Sequence, residues 1–350
     1  MKPYCSSAFI GSFPHLKPEQ ITNRLLESSA SFPLWPQLPN RSFFESMYVQ
    51  YSENIPAIKL DLNERKIVFS SLDGLENELE KFYENSLTEN YDYFAISPEY
   101  AQGLYYFRDL ADIIKKNKPI AIKGHITGPI SFALTVTDEN RKAAYFDPSL
   151  REIVSIAVKM KSIWQINFLK QIYDDVIFFI DEPYLSGVGS GIFAIEQKEI
   201  QNELTDFVSV LKQVHPQVPI AFHCCGNTDW SVLINSNIDI LSFDAFNYAD
   251  SIFYYENELR GFLNKGGMLA WGIVPTSGDF REQTKDSIIK KMNSNLELLE
   301  SKGFDILKTM ENSFITPACG TGSLTENEAE HVIELTAEVS EHFKQHCKFT

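Results

Sequence analysis

Three residues carry the chemistry that this chain can be read for: His223, Cys225 and Cys319. The first two lie in Phe222-His223-Cys224-Cys225-Gly226-Asn227, directly after the apolar run Val218 to Ala221. Such a run reads as a buried strand that ends at the Gly-Asn turn. Successive side chains on a strand point to opposite faces, so His223 and Cys225 share a side, while Cys224 faces away as a small core residue. Cys319 sits in Pro317-Ala318-Cys319-Gly320, at the end of another apolar run. One imidazole and two thiolates would give zinc three protein ligands and leave a position open for a substrate. Magnesium and calcium favour oxygen ligands, so this donor set points to Zn2+. Coordination strips the proton from a thiol whose free pKa is about 8.5, so a thiol substrate would be presented as a nucleophilic thiolate. Water in the same place would make a hydrolase instead.

Residues so far apart meet only if the elements between them bring their strand ends together. Ala8 to Phe13 reads as a first strand closed by Pro14, and Lys17 to Ser28 as a helix with Ile21, Leu25 and Leu26 on one face. Strand signals follow at Tyr93–Ser97, Ile120–Thr127, Val176–Ile180, the His-Cys-Cys run, Ile238–Phe243, Met268–Val274 and Ser313–Thr316. Helical patterns separate them at Leu104–Lys116, Pro148–Tyr173, Gln197–Val214 and Arg281–Lys302, and a last helix starts near Thr325 with Glu328 as its capping-box partner. Near-continuous apolar strands alternating with helices predict an α/β protein with a parallel sheet covered on both sides. Eight such units predict a single (β/α)8 TIM barrel over residues 1–350, its active site at the carboxyl ends of the strands. The notable polar residues sit at those ends: Gly11-Ser12, His125, Asp181-Glu182, His223 with Cys225, Asp244 and Cys319. A doubly wound open sheet is the alternative, but it gives no equal reason for that placement.

The chain has 350 residues, 44% hydrophobic and 22% charged, enough for a large core. Asp+Glu number 47 against 31 Lys+Arg, and no basic stripe interrupts the acidity, which argues against a nucleic-acid partner. Residues 1–15 lack a secretory pattern, and no run approaches the roughly 18 apolar residues of a membrane span, so a soluble cytoplasmic protein is expected. Five scattered cysteines argue against a disulfide framework, and the terminal Cys5 and Cys347 need no function. Ser31 to Lys59 is aperiodic and rich in aromatics and prolines, an irregular insertion that reads either as a cover over the site or as a packed surface loop. The Gly187/Gly189/Gly191 stretch has no dinucleotide fingerprint before it and reads as a loop.

Three further positions have both a functional and a structural reading. Asp244 is a fourth metal ligand, a group that orients His223, or a helix N-cap. One acid of Asp181-Glu182 would hold a substrate ammonium, unless it caps a helix. Gly11-Ser12 suits a substrate carboxylate, or is a plain turn.

In order along the chain come Ile10-Gly11-Ser12-Phe13-Pro14, Lys123-Gly124-His125-Ile126-Thr127-Gly128-Pro129, Ile180-Asp181-Glu182-Pro183, His223-Cys224-Cys225, the run from Ile238 to Asp244, and Thr316-Pro317-Ala318-Cys319-Gly320. Together they resemble the catalytic half of cobalamin-independent methionine synthase, in the superfamily with corrinoid-dependent coenzyme M methyltransferases and uroporphyrinogen decarboxylase. The resemblance implies a barrel methyltransferase in which His223, Cys225 and Cys319 hold zinc and Asp244 stands where the methionine synthases place a glutamate ligand. It also implies that Ile10, Gly11 and Ser12 hold the homocysteine carboxylate, and that Asp181 holds its amino group. Where that family has a second acid for the amino group, the nearest match is Gln37, which carries no charge. Folate-using members have a His after the seventh strand to protonate the departing folate; here the segment reads Gly272-Ile273-Val274-Pro275-Thr276-Ser277-Gly278. The N-terminal barrel of the folate enzymes has no counterpart either. A corrinoid donor, on a partner protein, needs no such proton and is therefore expected. The alternatives are another thiol acceptor such as coenzyme M, a non-catalytic zinc or corrinoid-docking protein, or a metal-free lyase like uroporphyrinogen decarboxylase. That lyase needs basic residues near the chain start, where the first 40 residues offer only Lys2, Lys17 and Arg24.

Overall fold

The computed structural model describes residues 1–188, 195–278 and 280–347. Its strands, in chain order, are β1 (Ser6–Ser7), β2 (Ile58–Asp61), β3 (Lys66–Phe69), β4 (Ile122–Thr127), β5 (Thr137–Asp138), β6 (Val176–Asp181), β7 (Ile220–Cys224), β8 (Ile240–Phe243), β9 (Met268–Val274) and β10 (Ser313–Pro317). Seven of these form one parallel sheet in the order β1-β10-β9-β8-β7-β6-β4. Parallel neighbours need a crossover, and helices supply it: Gln197–Val214 runs between β6 and β7, and Lys285–Ser301 between β9 and β10. With both faces covered, the strands are buried throughout, as in the all-apolar β9.

The sheet curls. Ala8, just after β1, and Ala121, just before β4, belong to opposite edges of the strand order, yet both join one small cluster with Phe32, Ile177, Phe179, Ala221, Ile240, Met268, Ala270 and Phe314. The alanines leave room for the rings, and Phe32 meets Phe314 edge-on at 4.9 Å. This cluster is the floor on which the candidate site stands.

The expectation of eight regular strands is corrected in one place. Tyr93–Ser97 is not a strand: Tyr91–Phe94 forms a 3-10 turn, and Phe94 packs edge-on against Phe82 at 5.5 Å. Its run of aromatics serves a tight turn seated among helices, and no strand pairs with it. The gap between β1 and β4 is instead spanned by residues 31–37, through two isolated parallel bridges, Ser12 with Gln37 and Leu34 with Lys123. The bonds are Gln37 N–H to Gly11 O at 2.9 Å, Phe13 N–H to Gln37 O at 2.9 Å and Lys123 N–H to Pro33 O at 2.8 Å. Pro33 and Pro36 have no N–H to give, so a continuous ladder cannot form and regular strand pairing does not close the sheet.

The aperiodic insertion is thus a packed wall over much of its length, with Phe32, Leu34, Trp35, Leu38, Val49 and Tyr51 buried. Two boundaries also move. Regular pairing of the first strand lies at Ser6–Ser7, before Ala8–Phe13, and the predicted helix Leu104–Lys116 is two, Gln102–Asp109 and Ala111–Asn117. A second, three-stranded sheet of β2, β3 and β5 had no counterpart in the sequence reading. The helices Pro18–Ser28, Pro148–Ile172 and Gln197–Val214 lie where their periodicity put them. So does Glu326–His346, with Thr325 and Glu328 forming the capping box. Gly187 ends the 3-10 turn Pro183–Gly187, while Gly189 and Gly191 lie outside the described residues. Among the described residues, no helix is long and apolar enough to cross a membrane.

Candidate metal centre

Strand alternation carries the apolar floor upward into a polar layer. Above Ala221 on β7 comes His223; above Phe179 on β6 comes Asp181; above Ile240 on β8 comes Ser242; above Ala121 come Lys123, His125 and Thr127 on β4. On β10 the same parity would run from Phe314 through Thr316 to Ala318. The register against β9 slips between Thr316 and Pro317, and it is Cys319 that lines the cavity. An irregularity of this kind re-aims the side chains beyond it. Gly272 on β9 makes the approach possible: a Cβ there would lie 2.5 Å from the Phe243 carbonyl oxygen and 2.9 Å from Ala318 Cα.

His223, Cys225 and Cys319 bring their ligand atoms within 4.8 Å of one another. His223 Nδ1 lies 2.9 Å from Ser242 Oγ, and its Nε2 is buried with no partner. A buried polar atom left unmet costs about 1–3 kcal/mol, and beside two sulfurs it leaves a place that an ion could fill. The sulfurs themselves are tuned. Hydrogen bonding from Cys319, with the field of the nearby His223 imidazole, pulls Cys225 well below the usual thiol range, while Cys225 pushes Cys319 up. The two sulfurs shift each other in opposite directions, and a metal bound to both would require both as thiolates. The orphaned nitrogen and this donor set fit a soft divalent cation bound through three protein atoms. Cys224, on the other strand face, is fully buried, and burial raises its thiol to about 12.

Ser242 was not anticipated, although its parity with Asp244 and its register opposite His223 are the signal. If Nδ1 donates to the hydroxyl, the lone pair stays on Nε2, the atom facing the sulfurs. Replacing Ser242 by Ala should therefore weaken metal binding by about 10- to 100-fold in chelator competition, with the fold unchanged.

Asp244 lies outside the group of three: its Oδ1 accepts from Asn247 N at 2.9 Å and its Oδ2 from Asn247 Nδ2 at 2.7 Å, so it caps the helix Ala245–Ile252. Asp181 and Glu182 divide the two readings of their motif. Glu182 accepts from the N–H groups of Ile130 at 3.1 Å and Ser131 at 2.7 Å, the first turn of Pro129–Thr135. Asp181 lines the cavity, and its Oδ1 is buried without a partner. Burial raises the Asp181 pKa, against the pull of His223 and Lys123.

The cavity is small, about 90 Å³. Ile10, Ser12 and Gln37 line it with the three candidate ligands, and the insertion adds Met47 and Tyr51, which sequence reasoning missed. Gly11 contributes its backbone, bonded to Gln37, whose side-chain amide donates to Gln50 Oε1 at 2.7 Å.

Burial raises Glu182 to about 7 from its ordinary 4.5, worth about 3 kcal/mol between its two protonation states. A raised acid favours the folded state fully below pH 4.5 and loses that contribution as pH climbs through 7. Glu182→Gln, which cannot ionise, should therefore gain melting temperature relative to the parent as pH rises from 4.5 to 8. A difference that stays flat over that range would refute this.

No known family model matches the chain, and no curated protein matches it. Among solved structures, a candidate vitamin-B12-independent methionine synthase from Listeria monocytogenes aligns over 93% of this chain and 85% of its own, with a TM-score of 0.53 and 12% identity. The likeness is one of fold. A β-glucuronidase from Parabacteroides merdae aligns over 62% of this chain and 30% of its own at 10% identity, and its TM-score of 0.28 is too low to carry an argument.

Proposed function

We propose that this chain is a zinc-dependent S-methyltransferase that moves a methyl group from a methylated corrinoid, on a partner protein, to a small thiol, with homocysteine as the first acceptor to test. The single observation behind it is the meeting of His223, Cys225 and Cys319 beside one orphaned imidazole nitrogen, at the edge of a cavity that also holds a buried acid. The finer description of the fold, a (β/α)8 barrel with residues 31–37 in the place of a strand, belongs to the same reading.

Zinc held there would offer an open coordination place and lower the proton affinity of a thiol entering it. The chain's own groups do the rest. Ser242 orients the His223 ring. Asp181 presents an unpaired carboxylate oxygen to a substrate ammonium, which would favour its charged form against burial. Ile10, Gly11 and Ser12 shape the side of the cavity at which the substrate carboxylate would lie. Asp244 lies beside the site, its carboxylate feeling the Cys225 charge and its oxygens held by Asn247.

In the overall reaction a sulfur–carbon bond forms as the cobalt–carbon bond breaks. The bonding pair stays with cobalt, and the thiol proton leaves to solvent. No leaving group needs a proton, in keeping with the segment from Gly272 to Gly278, which offers no His. The fold shared with the Listeria protein, described as a methionine synthase, supports thiol methylation; the corrinoid donor rests on that missing His. Gln37, a neutral amide already bonded to Gln50, keeps coenzyme M as the second acceptor to assay.

The test is purification without chelator, metal analysis, and incubation with methylcobalamin and each thiol, following thioether formation and the loss of methylcobalamin absorbance. About one zinc per chain with thiol-dependent turnover is expected. Zinc-free protein that stays inactive after zinc is added would overturn the proposal.

A further inference from the structure

One polar side chain in the cavity is used neither by the fold nor by the candidate ligands. His125 is buried, lines the cavity, and has no hydrogen-bond partner at either ring nitrogen. Its surroundings fix the ring while leaving the nitrogens alone. The imidazole stacks on Trp35 with centroids 4.1 Å apart and planes 16° from parallel. Gln165 Oε1 accepts from Trp35 Nε1 at 3.0 Å and from His125 N at 3.1 Å, while Gln165 Nε2 donates to the His125 carbonyl at 3.0 Å. Gly11 packs so closely that a Cβ on it would lie 2.8 Å from His125 Nε2 and 2.9 Å from both neighbouring ring carbons. Backbone and ring are both clamped, and two polar atoms remain unmet.

A buried donor without a partner is destabilising, so a ring held this firmly with free nitrogens is built to meet a ligand group. Neutral imidazole offers one donor and one acceptor. The charge nearby chooses between them. Lys123, two residues back on the same face of β4, sets its Nζ 2.5 Å from the Ile10 carbonyl oxygen; burial lowers it to about 7, and its charged form acts on the His125 ring. Positive potential there favours an anionic acceptor and disfavours a cation. Asp181 gives the cavity the opposite polarity through its unmet Oδ1.

We propose that His125 is a specificity-determining residue that donates a ring N–H to a carboxylate on the thiol substrate, so that the cavity selects thiols bearing a carboxylate as well as an ammonium. This rests on the thiol-methyltransferase reading and adds to it a residue and a basis for substrate choice.

The experiment is calorimetric titration of the zinc-containing protein with homocysteine and with 3-aminopropane-1-thiol, which is homocysteine without its carboxylate. The parent should bind homocysteine at least about tenfold more tightly. His125→Phe, with zinc content and melting temperature checked, should lose most of that preference by weakening homocysteine alone. His125→Asn, which keeps an N–H, should retain part of it and stands in if the Phe variant does not fold. Equal binding of both thiols by the parent, or an equal change for both in the variants, would overturn the role of His125 and leave thiol binding intact. A zinc-loaded parent that binds neither thiol would overturn the thiol reading and this inference with it.

Discussion

Cys319→Ser should reduce zinc binding by about two to three orders of magnitude and abolish methyl transfer, while far-UV circular dichroism and melting temperature stay close to those of the parent. A serine hydroxyl is not ionised at neutral pH and is a hard donor, so it does not replace a thiolate on zinc. Zinc held by four ligands in small domains is bound by about 10–16 kcal/mol, or about 2.5–4 kcal/mol per ligand, which is about 100- to 1000-fold in affinity. Cys319 is partly exposed at the end of β10, so its sulfur contributes little to the core. Cys225→Ser should behave alike. Cys224→Ala is the informative contrast. Its sulfur faces the core near the Gly226 carbonyl, so the variant should cost stability yet keep its full zinc content. If Cys224→Ala lost the metal and Cys319→Ser kept it, the geometry proposed for the site would be wrong.

Asp181→Asn should raise KM for homocysteine by about 30- to 5000-fold, with zinc content unchanged. Removing one partner of a buried, hydrogen-bonded charge pair costs about 2–5 kcal/mol, and Asp181, though half-buried as a residue, brings a buried and free carboxylate oxygen into this cavity. Gln37 cannot take over, since its amide is neutral and already donates to Gln50. A thiol without an amino group should be affected far less, which separates lost ammonium binding from general damage. A small, equal effect on both thiols would mean that the acid serves the fold, as Glu182 does at Pro129–Thr135.

Much of this site was legible in the sequence because strand alternation and strand ends leave a plain mark. His223 and Cys225 could be put on one face by counting, and the capping-box helix from Thr325 could be placed to the residue. Cys319 was harder, since strict alternation selects Ala318, and only the register slip after Thr316 brings the sulfur in. The wall between β1 and β4 left no periodic trace. Two prolines and two isolated bridges hold residues 31–37 in place, so the segment reads as loop, while the aromatic Tyr93–Ser97 imitates a strand. Ser242 escaped, and His125 was placed at a strand end without a role, for another reason: a serine or histidine inside an apolar strand has the same spacing whether it packs or acts. What distinguishes them is an atom count in three dimensions, the 2.9 Å contact at His223 Nδ1 and the unmet nitrogens of His125. The roles of Asp181 and Glu182 were likewise indistinguishable in sequence, because adjacent residues on a strand end face opposite ways.

The most direct measurement is X-ray absorption at the zinc edge on protein purified without chelator, before and after adding homocysteine. The account predicts a first shell with two sulfurs and one imidazole nitrogen that gains a third sulfur when the thiol is added. A shell of nitrogen and oxygen alone, or one that the thiol leaves unchanged, would contradict it.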